Sequence, residues 1–86
     1  MKSYVVALEL PSGDATELAA AGEQARIAAE QLSREGTAVR CVRSVYLPEE
    51  NTCLLVFEAT TPEAVDAAGR RAGLTYDRID EGGRAT

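Results

Sequence analysis

The sequence contains no histidine and only two cysteines, Cys41 and Cys53. Without an imidazole, the chain lacks the side chain that most often serves as a general base near neutral pH and as a ligand of transition metals. The hydroxyl of Ser44 and the thiol of Cys41 therefore have no histidine to activate them as nucleophiles. Metal binding would have to rely on thiolates and carboxylates alone.

Basic residues are also scarce, since nine Lys and Arg stand against fourteen Asp and Glu and give a net charge of −5. They are scattered along the chain, whereas a surface that binds nucleic acid needs clustered basic groups. No stretch approaches the ~20 apolar residues of a membrane span, and the N-terminal run MKSYVVALELP is too short for a signal peptide. We expect no nucleic-acid partner, no membrane partner, and a cytoplasmic protein whose thiols stay reduced.

The first half of the chain predicts a strand, a helix and a second strand. Residues 4–10 are rich in β-formers and end at Pro11. From Asp14, apolar residues recur every three or four positions, which is typical of an amphipathic helix that Asp14 caps and Gly36 ends. Residues 37–47 and 52–59 are two β-rich runs around the polar tip PEEN, and this pattern predicts a hairpin.

The second half adds a helix and a last strand. Thr61 is the predicted cap of the helix, Pro62 its first residue and Gly73 its end. Residues 75–80 read as a short strand, and residues 82–86 as a flexible tail. The order strand, helix, strand, strand, helix, strand predicts an α+β, ferredoxin-like fold, with a four-stranded antiparallel sheet and two helices on one face. We expect one domain over residues 1–81.

The hairpin indicates what covers the other face of the sheet. If Leu47 lies opposite Thr52, one face carries Val45, Leu54 and Val56 and the other carries Tyr46, Leu55 and Phe57. Both faces are thus apolar, whereas a sheet with one solvated face alternates apolar and polar residues. The pattern predicts a homodimer in which two sheets enclose a barrel-like interior. The alternative is a monomer with an unusually apolar surface.

The same register separates the two cysteines. It places Cys41 opposite Glu58 and Cys53 opposite Tyr46, on different faces and roughly 16 Å apart along the ladder. A disulfide cannot span that distance, and a shared metal is excluded for the same reason. Free cysteines in such positions usually pack as small apolar side chains.

The stretch from Val42 to Asp80 resembles the second half of a small bacterial family of unknown function, whose characterised relatives are nickel-binding, ferredoxin-like dimers. The resemblance extends over roughly residues 3–81. The motifs that carry it are Phe57-Glu58-Ala59 at a strand end, Pro62-Glu63 at a helix start, Ala72-Gly73-Leu74, and Asp77-Arg78-Ile79.

The differences from that family concern the metal. Family members commonly carry a His-Ser pair in the second strand and a Cys in the third, whereas this sequence has Arg43 before Ser44 and Leu55 at the position of the Cys. A guanidinium stays protonated and has no lone pair to donate to a metal. We therefore expect no metal and no other cofactor.

Charged residues on the predicted interior face are the candidate ligand-binding groups. Arg43 and Glu58 are diagonal neighbours on adjacent strands, Glu9 points into the same interior, and Cys41 lies beside them. Arg43 would bind a ligand carboxylate through two hydrogen bonds, with Glu58 orienting it. The alternative is a purely structural Arg–Glu pair with a solvated Glu9.

Two functions remain open at this point. The first is a small-ligand-binding dimer related to a nickel-binding family that has lost its metal ligands. The alternative is a cofactor-free enzyme, or an auxiliary protein for one, that transfers protons, cyclises or isomerises with carboxylate and tyrosine groups in the dimer interior. A purely structural dimerisation partner of another protein is a third reading.

Overall fold

The computed structural model of the protein describes residues 1–9, 15–74, 76 and 79–81. Its elements are strand β1 (Lys2–Glu9), helix α1 (Ala15–Arg34), strand β2 (Val39–Leu47), a 3₁₀ turn (Pro48–Glu50), strand β3 (Thr52–Ala59), helix α2 (Pro62–Arg71) and strand β4 (Ile79–Glu81). The strands form one antiparallel sheet in the order β2-β3-β1-β4. The predicted α+β, ferredoxin-like fold is confirmed.

The core lies between the sheet and the helices. Alternate residues of β1 and β3 face the helices and are buried, as the period of two in a strand requires. The alanines of α1 have small side chains, which let the helix lie close to the sheet. The fully buried large side chains are Phe57, Leu55, Val6, Val39, Val65 and Cys53.

Local signals set the ends of α2. The Thr61 hydroxyl accepts a hydrogen bond from the amide of Ala64 at 3.3 Å, and Pro62 is the first helical residue. Gly73 follows the helix with a φ of 76°, a left-handed conformation that glycine adopts without strain. Thr61, Pro62 and Gly73 thus take the positions expected from the sequence. The predicted cap Asp14 and the tail 82–86 lie outside the described residues.

The hairpin has the expected register with one irregularity. Leu47 pairs with Thr52 across the 3₁₀ turn, and Asn51 adopts the left-handed conformation that closes it. A β-bulge between Cys41 and Arg43 shifts the remaining pairs of β2 by one residue. Every β2 residue before the bulge therefore lies on the face opposite to the one that simple alternation predicts.

One ion pair connects α2 to the end of α1, and the Tyr76 side chain packs against α2. Arg71 donates two hydrogen bonds to Glu35, with Nη1 2.6 Å from Oε2, and so joins the ends of the two helices. Tyr76 packs its ring on Gly69, and its hydroxyl donates a hydrogen bond to Asp66.

Neither described helix is long and apolar enough to cross a membrane.

Candidate ligand site on the open sheet face

The two helices cover one side of the sheet, and we call the other side the open face. The register pairs Val56 with Val5 and with Arg43, and Leu54 with Ala7 and Val45, so these side chains share that face. In the single chain Val5, Val45, Leu47, Leu54 and Val56 are each partly exposed. The open face also carries Ser3, Ala7, Glu9, Arg40, Arg43, Thr52, Glu58 and Asp80.

Glu58 lies on the open face as expected, but its partner is not Arg43. Arg40 lies directly opposite Glu58, and its Nη2 donates a hydrogen bond to Glu58 Oε1 at 2.6 Å. The bulge at Val42 produces this pairing, because it places Arg40 on the same face as Arg43 although the two are an odd number of positions, three, apart in the sequence. The sequence analysis missed Arg40 because no glycine or other local signal marks the bulge.

Arg43 remains on the open face, opposite Val56, and is exposed. Within the described part of the chain it forms no hydrogen bond or salt bridge. Its guanidinium donors are therefore without a partner among the described residues, on a face that also carries Val45 and Val56. This is the arrangement in which a planar anion such as a carboxylate is bound by two parallel hydrogen bonds.

The expected position of Cys41 is wrong. Because of the bulge, Cys41 lies opposite Phe57 and faces the helices, on the same side of the sheet as Cys53. Both cysteines are free thiols. Burial raises the pKa of Cys41, the neighbouring Cys53 raises it further, and Arg26 lowers it, while burial alone raises the pKa of Cys53. Cys41 therefore does not line the open face, and both thiols are held in their protonated form.

Glu9 lies at the hairpin end of the open face, beside a groove of about 330 Å³. Ala7, Leu47 and Leu54 supply its apolar walls, and Glu9 and Glu50 supply two carboxylates. Glu50 was missed by the sequence analysis, since its position depends on how the 3₁₀ turn folds back toward the sheet. The Thr52 hydroxyl donates a hydrogen bond to the backbone carbonyl of Glu50 at 2.9 Å and fixes that turn.

A second, wider groove of about 500 Å³ lies at the other end of β2, where the Arg40–Glu58 pair borders it. Among the described residues, no three side chains of the types that ligate metals come together. The candidate site is thus an apolar surface with charged groups at separate points: Arg43 near its middle, the Arg40–Glu58 pair at one end, and Glu9 with Glu50 at the other.

Comparisons with known proteins agree with the fold. The crystal structure of SCO4226 from Streptomyces coelicolor A3(2) matches with a TM-score of 0.73 at 21% identity, over 98% of this chain and 99% of that one. No curated protein matches significantly. The model of the family described as nickel responsive protein SCO4226-like matches residues 4–81. This chain therefore belongs to the SCO4226-like family.

Proposed function

We propose that the protein is a small-ligand-binding homodimer, that a second copy covers the open face, and that the ligand lies between the two sheets. The observation that carries this proposal is the composition of the open face. Five Val and Leu side chains stay partly exposed there in the single chain, beside Arg43 and Glu9, which have no ion-pair partner among the described residues.

The area of the open face supports the assembly. The described part of the protein measures 35 × 30 × 18 Å, and its sheet forms one of the broad sides. A stable interface needs roughly 800 Å² from each partner, which a side of these dimensions can supply. Covering Leu54 and Val56 would remove apolar surface from water at about 25 cal/mol per Å².

The charges on the open face favour a ligand over a dry interface. A charged side chain that is buried without a partner costs several kcal/mol. Once a second copy covers the open face, Arg43 and Glu9 must each meet water, a charge of the partner or a ligand. We therefore propose that Arg43, Glu58 and Glu9 contribute to ligand binding on the open face, with Arg40 as the partner of Glu58.

Nickel does not fit this donor set. The family is described as nickel responsive, yet this chain has no histidine. Both thiols lie on the helix side of the sheet, and the described acidic side chains form no cluster of three. Leu55, which stands where the resemblance implies a Cys, is buried in the core. We propose that an organic molecule takes the place of the metal.

The dimer part of the proposal is tested with Val56→Asp. The substitution puts a carboxylate at the centre of the open face, where a second copy would bury it. Light scattering at micromolar concentration should give a dimer for the wild type and a monomer or unfolded chain for the variant. Ala20→Asp introduces the same charge on the exposed side of α1 and should stay dimeric. A well-folded Val56→Asp dimer would place the interface elsewhere.

A further inference from the structure

The groove at the hairpin end of the open face has a composition that restricts its ligand. It is lined by the apolar residues Ala7, Leu47 and Leu54 and by two acidic residues, Glu9 and Glu50. Neither carboxylate has an ion-pair partner among the described residues. The site therefore offers an apolar wall and two unneutralised negative charges within one small volume.

Two classes of ligand match this composition poorly. An anion would be repelled by both carboxylates. Arg43 lies four ladder positions from the row of Leu47, Thr52 and Glu9, roughly 13 Å along the sheet, and forms no ion pair with either described carboxylate. A hydrated magnesium or calcium ion takes six or more oxygen ligands in an octahedral or larger shell. The leucine side chains supply none of these oxygens, so their presence would serve no purpose for such an ion.

An organic ammonium ion matches both kinds of residue that line the groove, the acidic ones and the apolar ones. Its charged group would donate hydrogen bonds to the carboxylates of Glu9 and Glu50, which also compensate its charge, and its apolar body would pack on Leu47 and Leu54. A volume of about 330 Å³ lies at the lower end of small-molecule sites, which favours a small ligand.

We propose that this groove binds a small primary amine with an apolar body, through its protonated form. This inference rests on the proposed function, because it takes the open face as the ligand-binding side of the dimer. It adds to that function the positive charge and the small size of the ligand at the hairpin end of the open face; any group that Arg43 binds lies elsewhere on that face.

The test uses two probes with the same carbon skeleton and opposite charge, phenethylammonium and phenylacetate. Each is titrated into the full ¹⁵N-labelled chain, and the shifts of the backbone amides are followed by NMR. Phenethylammonium should move the amides of Ala7, Leu8, Thr52 and Leu54 and bind at least tenfold more tightly than phenylacetate. Equal affinities, or shifts centred on another part of the chain, would overturn the proposal.

Three variants identify the groups involved. Glu9→Gln and Glu50→Gln keep the shape of the groove and should each weaken phenethylammonium binding about tenfold. Glu49→Gln makes the same change in charge at the hairpin tip, but Glu49 does not line the groove. Its affinity should stay within about twofold of the wild type. If all three variants lose affinity equally, the effect is long-range and the groove is not the site.

Two further measurements separate the possible failures. Magnesium chloride tests binding of an inorganic cation: displacement of phenethylammonium by millimolar Mg²⁺ would make the groove a metal site and overturn the proposal. Light scattering on the same samples reports the assembly independently. If the protein has the mass of a dimer and does not bind phenethylammonium, only the inference about the groove is refuted. If it has the mass of a monomer and binds phenethylammonium, only the proposed dimer is refuted.

Discussion

The contact between Gly69 and Tyr76 determines how Gly69→Ala changes the stability of the protein. The substitution should destabilise the chain when the Tyr76 ring is present and stabilise it when the ring is absent. A methyl group added at Gly69 would lie 2.6 Å from Cε1 of the Tyr76 ring and 3.2 Å from its hydroxyl oxygen. The ring cannot simply rotate away, because its hydroxyl is hydrogen-bonded to Asp66. Gly69→Ala should therefore destabilise the protein, although alanine is the better helix former.

The magnitude follows from two opposing contributions. In a helix interior, replacing Gly with Ala contributes about 1 kcal/mol of stability. Overpacking typically costs about 1–3 kcal/mol, and losing a hydrogen bond costs about 1 kcal/mol more. The net loss should be about 1–3 kcal/mol, which lowers the Tm of a domain this size by roughly 4–24 °C.

A double-mutant cycle isolates this contact. Urea unfolding followed by circular dichroism is measured for the wild type, Gly69→Ala, Tyr76→Ala and the double variant. In the Tyr76→Ala background the ring is absent, so Gly69→Ala should stabilise the protein by about 1 kcal/mol. Tyr76→Phe frees the ring from Asp66 and should give an intermediate cost. If Gly69→Ala stabilises the chain while Tyr76 is intact, the reasoning is wrong.

Two further predictions concern nickel and acid. Calorimetric titration with nickel chloride should show no affinity tighter than about 10 μM, near −7 kcal/mol, because the chain lacks histidine and both thiols face the core; a one-to-one complex would contradict this. The hydrogen bond from Tyr76, followed by that from Arg70, lowers the pKa of Asp66 below its usual 3.8. The ionised Asp66 carboxylate therefore stabilises the folded protein above pH 3.8, and this stabilisation is lost as the pH falls through the lower pKa of the folded state. Asp66→Asn should flatten the pH dependence of the urea midpoint in that range, and an unchanged dependence would show that Asp66 does not couple to folding.

The parts of the fold predicted from sequence are those set by local chemistry. Thr61, Pro62 and Gly73 mark the ends of α2 through capping, a fixed φ and a positive φ, and each of these acts within a few residues. The register of the hairpin follows from its tip, since the 3₁₀ turn leaves only one pairing for Leu47 and Thr52.

The errors share one physical cause, the bulge at Val42. It depends on how β2 fits against β3 and α1, and nothing within β2 signals it. It moves Cys41 to the helix side and brings Arg40 opposite Glu58, so two assignments of the candidate site changed together. Arg43 lies beyond the bulge toward the hairpin tip and kept its predicted face.

For other contacts, the sequence predicts at most the type of contact and not the residue that makes it. A glycine in the middle of α2 indicated close packing, because it costs stability there, but Tyr76 as its partner required the three-dimensional structure. Glu50 reaches the groove through the geometry of a three-residue turn, which the alternation of apolar and polar residues does not describe.

The central claim, that a second copy covers the open face, is tested most directly by isotope-filtered NMR on a mixture of labelled and unlabelled chains. The account predicts intermolecular nuclear Overhauser effects from the methyl groups of Val5, Leu54 and Val56, all on the open face. Intermolecular contacts that involve only the exposed residues of α1, or none from those three methyl-bearing side chains in a sample of dimer mass, would contradict it.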